Sequence, residues 1–157
     1  MEIVNVRIDE RLIHGQVATV WTQQLKPTRI MVVDAAAVKD EIQKAALKMA
    51  RPGNVKLSIL SPKKAAENLI ARKYEGDRVF IVTKSPASLR IMAEAGVHFD
   101  AITVGNMSVR GECRNLRKTV NVNEQDVADF RYLADQGAKI TAQLVPNDPA
   151  ADLIALL

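Results

Sequence analysis

The sequence is poor in the groups that carry most redox and cofactor chemistry. It has one cysteine, Cys113, and two histidines, His14 and His98. A lone thiol excludes an internal disulfide and a cysteine-rich zinc cluster. Two histidines at distant points of the chain do not form a metal-ligand cluster by spacing, so neither a metal nor a cofactor is expected. The Cys-x5-Arg spacing of a cysteine phosphatase is also missing, because Thr119 stands six residues after Cys113. Cys113 therefore reads as small, partly buried filler. Aromatic residues make up only 4% of the chain, too few for the basic and aromatic stripe of a nucleic-acid binder. No apolar run is long enough to cross a bilayer. The start, "MEIVNVRIDE", lacks the basic segment and apolar block of a signal peptide, and a cytoplasmic chain is expected. There is no Gly-x-Gly-x-x-Gly after the first strand, no phosphate-loop motif ending in Gly-Lys-Ser/Thr, and no Gly-x-Ser-x-Gly elbow. These absences speak against dinucleotide binding, nucleotide binding and serine-hydrolase chemistry.

What is present describes a globular protein. The chain has 157 residues, 48% apolar and 25% charged, enough for one domain over residues 1–157 with a full core. The net charge of +4, from 22 basic and 18 acidic residues, suits an acidic protein partner or a phosphorylated group.

Short apolar runs alternate with amphipathic stretches. Glu2–Ile8, Arg29–Asp34, Val55–Leu60, Arg78–Thr83, Asp100–Gly105, Thr119–Asn123 and Lys139–Val145 read as strands. Gly15–Leu25, Asp40–Ala50, the stretch opened by Ser61 and Pro62, the stretch opened by Ser85 and Pro86, and Asn123–Gly137 read as helices. "NMSVRGECRNLRK" reads as irregular, and "DPAADLIALL" as a closing helix. This alternation predicts a single α/β domain: a mostly parallel twisted sheet of about six to seven strands with helices on both faces. Ligands of such sheets bind beyond the carboxyl ends of the strands, near a switch in strand order. Four loops fall there, Asp9 to His14, Asp34 to Ala37, Thr83 to Ser85 and Gly105 to Ser108.

Of these loops the first carries chemistry. Asp34 lacks the acidic partners of a phosphoacceptor aspartate. In "RIDERLIHGQV", His14 follows Arg11 and precedes Gly15 and Gln16 at a helix start. Gly15 lets a ligand approach without a Cβ in the way. The free N–H groups and partial positive charge of the helix N-terminus suit phosphate. A neutral imidazole is a nitrogen nucleophile, and positive neighbours disfavour a further positive charge on it. Arg11 and the N–H groups can hold a phosphoryl group without a metal. From the residues alone the alternatives stay open: a phosphohistidine, a loop that holds an anion without turnover, or a histidine that merely starts a helix. His98 reads as structural, and Trp21 as core.

"VNVRIDERLIHGQVATVW" resembles the N-terminal signature of the enzyme IIB component of the mannose/fructose/sorbose family of bacterial phosphotransferase systems. The pattern RIDxRLxHGQV is met by Arg7, Ile8, Asp9, Arg11, Leu12, His14, Gly15, Gln16 and Val17. The chain length, "IMVVDA", "SPKKAAENL" and "ITVGNM" extend the likeness over the whole chain. One departure is that the second strand ends in a single Asp34 followed by alanines, where some members carry a further acidic residue. The resemblance implies a sugar phosphotransferase acting on a protein phosphohistidine. His14 would take a phosphoryl group from enzyme IIA through Nδ1 and pass it to a sugar bound by the membrane proteins IIC and IID. Arg11 would neutralise its charge, and Asp9 would orient Arg11. Gly15, Gln16, Asp9 itself, Asn106, Ser108, Thr83 and Lys84 are the candidates to line the phosphate position. The chain begins at its first strand, so IIA is expected as a separate protein. The expected place is the cytoplasm, peripherally bound to the membrane permease. The sugar and the oligomeric state, homo-oligomer included, stay open.

Overall fold

The first strand, β1 (Glu2–Asp9), leads through a short loop into α1 (Gly15–Leu25), and the computed structural model describes this and all other residues from 1 to 157. There follow β2 (Arg29–Val33), α2 (Ala35–Val38), α3 (Glu41–Ala50), β3 (Lys56–Leu60), α4 (Pro62–Ile70), β4 (Arg78–Thr83), α5 (Pro86–Glu94) and β5 (Ala101–Asn106). The last third holds β6 (Arg114–Arg117), β7 (Val120–Val122), α6 (Glu124–Asp135), β8 (Lys139–Ala142), β9 (Ala151–Asp152) and α7 (Leu153–Leu156). No helix is long and apolar enough to cross a membrane.

Local chemistry sets several boundaries. Asp40 starts α3 by accepting from the N–H groups of Ile42 and Gln43. Ser61 accepts from the Lys64 N–H, and Pro62 takes the first helical position of α4. Asn123 and Asp126 form a reciprocal capping box on α6. Ser85 precedes Pro86 in the same way as Ser61 precedes Pro62, yet its hydroxyl makes no capping bond.

The main sheet has the order β3-β2-β4-β1-β5-β8-β9. All its neighbours pair in parallel except β9, which runs antiparallel to β8 at one edge. The architecture expected from the alternating pattern is thus present: one α/β fold with helices on both faces. One face buries a cluster of 10 residues, with Trp21 of α1, Ala37 of α2 and Leu47 of α3 over Ile30, Val32, Phe80 and Val82. The other buries 25, where α4, α5, α6 and α7 contribute Ala65, Leu89, Met92, Phe130, Leu133 and Leu153. At about 25 cal/mol for each Å2 of apolar surface removed from water, these two layers supply most of the drive to fold.

Four readings change. The segment taken as irregular contains β6, which pairs with β7 as a hairpin. Residues 35–38, read as loop, form α2, started by the Asp34 carboxylate on the Ala37 N–H. The last parallel strand ends at Ala142 rather than Val145, because the Gln143 and Leu144 carbonyls turn out of the ladder toward Arg7. The closing segment makes β9 before a helix of only four residues.

Connections from β1 to β2 to β3 run toward one edge of the sheet, and those from β3 to β4 to β5 to β8 run toward the other. Right-handed crossovers then send them to opposite faces. The chain leaving β1 departs to one face while its neighbours β4 and β5 send theirs to the other. The Asp9–His14 loop therefore sits at the switch in strand order, where an open sheet has its crevice.

Candidate functional site

Within that loop the side chains divide by environment. Leu12 and Ile13 are buried in the smaller core, while Arg11, His14, Gly15 and Gln16 are exposed. Leu12 adopts φ +61 and its N–H donates to the Asp9 carbonyl at 2.9 Å, a tight turn. A left-handed leucine costs about 1–3 kcal/mol, which burial of its side chain offsets. Pinning Leu12 and Ile13 inward holds the flanking Arg11 and His14 outward.

His14 is the N-cap of α1, in extended conformation, and its imidazole makes no capping hydrogen bond. The first helical bond is that of the Ala18 N–H to the His14 carbonyl, at 3.2 Å. The N–H groups of Gly15, Gln16 and Val17 therefore have no helical acceptor, and no side chain caps them. Gly15 has φ +44 with open space where a Cβ would stand. A substitution there strains the backbone even though it meets no neighbour.

Behind the exposed pair lies a buried charge network. The Asp9 side chain is 1% exposed and sits between two guanidinium groups. Arg11 donates to it from the backbone N–H and Nε, both at 3.0 Å to Oδ1, and from Nη2 at 3.0 Å to Oδ2. This bidentate grip raises the Arg11 pKa and leaves Nη1 without a partner in the chain. Arg7, 3% exposed, gives Nη2 to Asp9 Oδ2 at 3.3 Å. Burial pushes the Arg7 pKa down and the Asp9 carboxylate opposes it. Two cations around one anion leave the triad with a net positive charge, and Arg11 carries it to the surface. As a candidate to line the phosphate, Asp9 does not fit, because both its oxygens are taken up by the two arginines.

The second-tier candidates separate. Asn106 pairs with Asp9 in the β1–β5 register, and its carbonyl accepts from the Glu10 N–H at 3.0 Å. The Ser108 N–H donates to Glu10 Oε2 at 3.1 Å. The fifth-strand loop is therefore brought against the first, through the backbone and Glu10. Thr83 is different. It is fully buried and its hydroxyl has no partner. Side-chain alternation aligns it with Val79 and Ile81, under α4 and α5, on the face away from α1. Lys84 pairs with Asp34 at 3.7 Å, which joins the β4 and β2 loops and takes its charge away from the first loop. Trp21 is buried in the core, as expected. His98 lies before β5, at the amino edge of the sheet, with Nε2 2.9 Å from Asp100 Oδ1.

The sequence places Arg7, Glu10 and Gly105 in or beside the candidate loops without showing what they do, and it gives no sign of the Gln143–Leu144 turn. Arg7 had a signal. In a strand covered on both faces, Arg7 and Asp9 point to the same side and must pair with each other to be buried. Nothing in the sequence marks the turn after β8. No group of three or more His, Cys, Asp or Glu side chains is arranged to hold a metal ion.

Comparison with known proteins bears on what this arrangement does. The model of the family described as "PTS system sorbose subfamily IIB component" matches residues 3–157. The chain is 35% identical over 157 residues to the fructose-specific EIIB component of Bacillus subtilis, covering 100% of this chain and 96% of that protein. It is 32% identical over 157 residues to the mannose-specific EIIAB component of Escherichia coli K12, covering 100% of this chain and 49% of that longer protein. Among solved structures, the IIBSor domain of the sorbose permease from Klebsiella pneumoniae superposes with a TM-score of 0.95 at 31% identity, covering 99% of this chain and 96% of that one.

Proposed function

The chain belongs to the sorbose subfamily of phosphotransferase-system IIB components, proteins of phosphoryl transfer in sugar uptake, and on that premise we propose that His14 is its phosphoryl carrier. The observation that carries this reading is an exposed, uncapped imidazole at the free N-terminus of α1, three residues after an arginine held outward by Asp9. In the first transfer, the His14 Nδ1 lone pair forms a bond to phosphorus as the bond to the donor histidine of IIA breaks. The donor, protonated on its other ring nitrogen, keeps the electron pair of that bond and returns to a neutral imidazole, while His14 keeps its own proton on Nε2. In the second, a sugar hydroxyl held by the membrane proteins IIC and IID attacks phosphorus. The P–N bond breaks back to His14, and the hydroxyl proton goes to a base of the sugar's own site. The transferring group carries its charge on its equatorial oxygens, so the protein has mainly to position it and stabilise its charge. Arg11 Nη1 and the N–H groups of Gly15 and Gln16 supply both, and Asp9 orients Arg11. Asn106 and Ser108 complete the rim of the phosphate position. Thr83 and Lys84 would reach it only after their present surroundings move. The exposure of His14 suits a carrier that must meet two partners in turn, with the chain working in the cytoplasm against the membrane permease.

The test is phosphorylation by phosphoenolpyruvate and the upstream carriers, read by intact mass. A single acid-labile, base-stable phosphate is expected on the wild-type chain and none on His14→Ala. Uptake at the same site by His14→Ala refutes the assignment. Saturable phosphate-ester binding with no covalent product would make the loop an anion receptor instead.

A further inference from the structure

Three interior groups play no part in the chemistry of Arg11 and His14. They are the Arg7 guanidinium, the Trp21 indole N–H and the Leu144 carbonyl, and they converge. Arg7 Nη2 and Trp21 Nε1 both donate to the Leu144 carbonyl, each at 2.8 Å. Arg7 Nη1 donates to the neighbouring Gln143 carbonyl at 3.1 Å, and the guanidinium lies 5.0 Å from the centre of the Trp21 ring. Space is kept for it by a bare backbone, since a Cβ on Gly105 would stand 1.9 Å from Arg7 Nη2.

Both arms of this cluster lead to the candidate site. From Arg7 the path runs through Asp9 to Arg11. From Trp21 it runs up α1 to His14, seven residues and about 10 Å along the helix axis. Two elements that must stand in fixed relation, the cation and the nucleophile, are thus referred to one carbonyl. That carbonyl belongs to a distant part of the chain, 123 residues from Trp21. Core stability alone does not require this, because apolar side chains of similar volume fill such a space without burying a charge.

We propose that Arg7, Trp21 and the Leu144 carbonyl form a positioning hub that sets where Arg11 stands relative to His14. None of the three touches the phosphoryl group. The inference rests on the phosphocarrier reading for its effect on rate, while its geometric half stands apart from it. If the hub acts by positioning, its loss slows transfer on the bound donor and leaves donor docking alone.

The experiment uses the full chain, with Arg7→Lys and Trp21→Phe. Arg7→Lys keeps the charge but cannot hold both carbonyls and Asp9 at once. Trp21→Phe keeps an aromatic ring and removes the N–H. Phosphoryl uptake from phosphorylated IIA is followed by rapid quench over a range of donor concentrations. Arg7→Lys is expected to reach the same single-phosphate end point with kcat lowered roughly ten- to a hundredfold at unchanged KM. Trp21→Phe is expected to lower kcat about fivefold, as for one neutral hydrogen bond. In parallel, the Arg11 Nε–H signal in a 1H–15N spectrum, held by Asp9 in the wild type, should move or broaden in Arg7→Lys. Folded variants with wild-type kcat and an unchanged Arg11 signal overturn the hub. A rise in KM alone also overturns it, since that is a docking defect. Should Arg7→Lys fail to fold, Trp21→Phe decides by the same two readouts. If the wild-type chain accepts no phosphate, the phosphocarrier reading falls, and the Arg11 signal alone then decides the hub.

Discussion

The two histidines make a natural comparison. Both are exposed and both lie beside a strand of the central sheet. His98 precedes β5 at the amino edge and has a carboxylate of its own, Asp100, 2.9 Å away, with both side chains largely in solvent. His14 follows β1 at the carboxyl edge, makes no capping bond, and has its carboxylate one layer further back. There Asp9 grips Arg11 rather than the imidazole. An imidazole is therefore not a site by itself. At the carboxyl edge, helix N-termini present free N–H groups and the switch in strand order opens a crevice. At the amino edge a histidine meets neither.

The largest contrast should appear on truncation. His14→Ala should abolish phosphoryl uptake, whereas His98→Ala should leave it at the wild-type level, as read by intact mass with phosphoenolpyruvate and the upstream carriers. Next comes the carboxylate near each ring. Asp9→Asn leaves the Arg7 guanidinium buried beside a neutral amide, and urea unfolding should record a loss of about 3–5 kcal/mol. Asp100→Asn should change stability by about 0.5 kcal/mol or less. Equal effects would remove the distinction drawn between the two edges. Arg11→Lys keeps the charge but gives up the planar fork on Asp9. Its uptake rate should fall about tenfold, and urea unfolding should record a loss of about 1–2 kcal/mol, less than for Asp9→Asn.

The smallest expected effect lies at the amino edge and concerns pH. Burial raises the Asp77 pKa, but hydrogen bonds from Arg29 and Thr28 outweigh it and hold the carboxyl below its usual value. The folded state thus binds that proton less readily than the unfolded chain does. The contribution is fully present above the unfolded carboxylate pKa of 3.8 and is lost as the pH falls through that value and below. Asp77→Asn should flatten this part of the acid-stability curve and leave phosphoryl uptake at neutral pH untouched.

Much of this was legible in the sequence. The alternation of apolar runs with amphipathic stretches located the parallel strands and the longer helices. Asp40, Ser61, Pro62 and Asn123 announced three helix starts. His14, Arg11 and Gly15 stood together in one loop, so their joint placement needed no folding to see. Thr83 was harder, because one residue along a strand reverses the face it points to. Its place at a strand end suggested access, while its parity put it beneath α4 and α5. Lys84 lay on the correct edge but met Asp34 there, a pairing across 50 positions that no local pattern records.

By itself the sequence determined what depends on neighbours along the chain: most of the strands and the longer helices, the turn at Asp9, and a histidine at a helix N-terminus three residues from an arginine. Asp9 holds that arginine from two residues away, but tertiary structure alone decided what backs the pair. Strand order set β5 beside β1, so that Glu10 reaches the Asn106 and Ser108 backbone. It set β8 beside β5, so that the turn after it reaches Arg7 and Trp21. A buried cation must find its partners wherever the chain brings them: for Arg7 the carboxylate lies two residues away, but the two carbonyls come from more than 100 residues away, 136 in the case of Gln143.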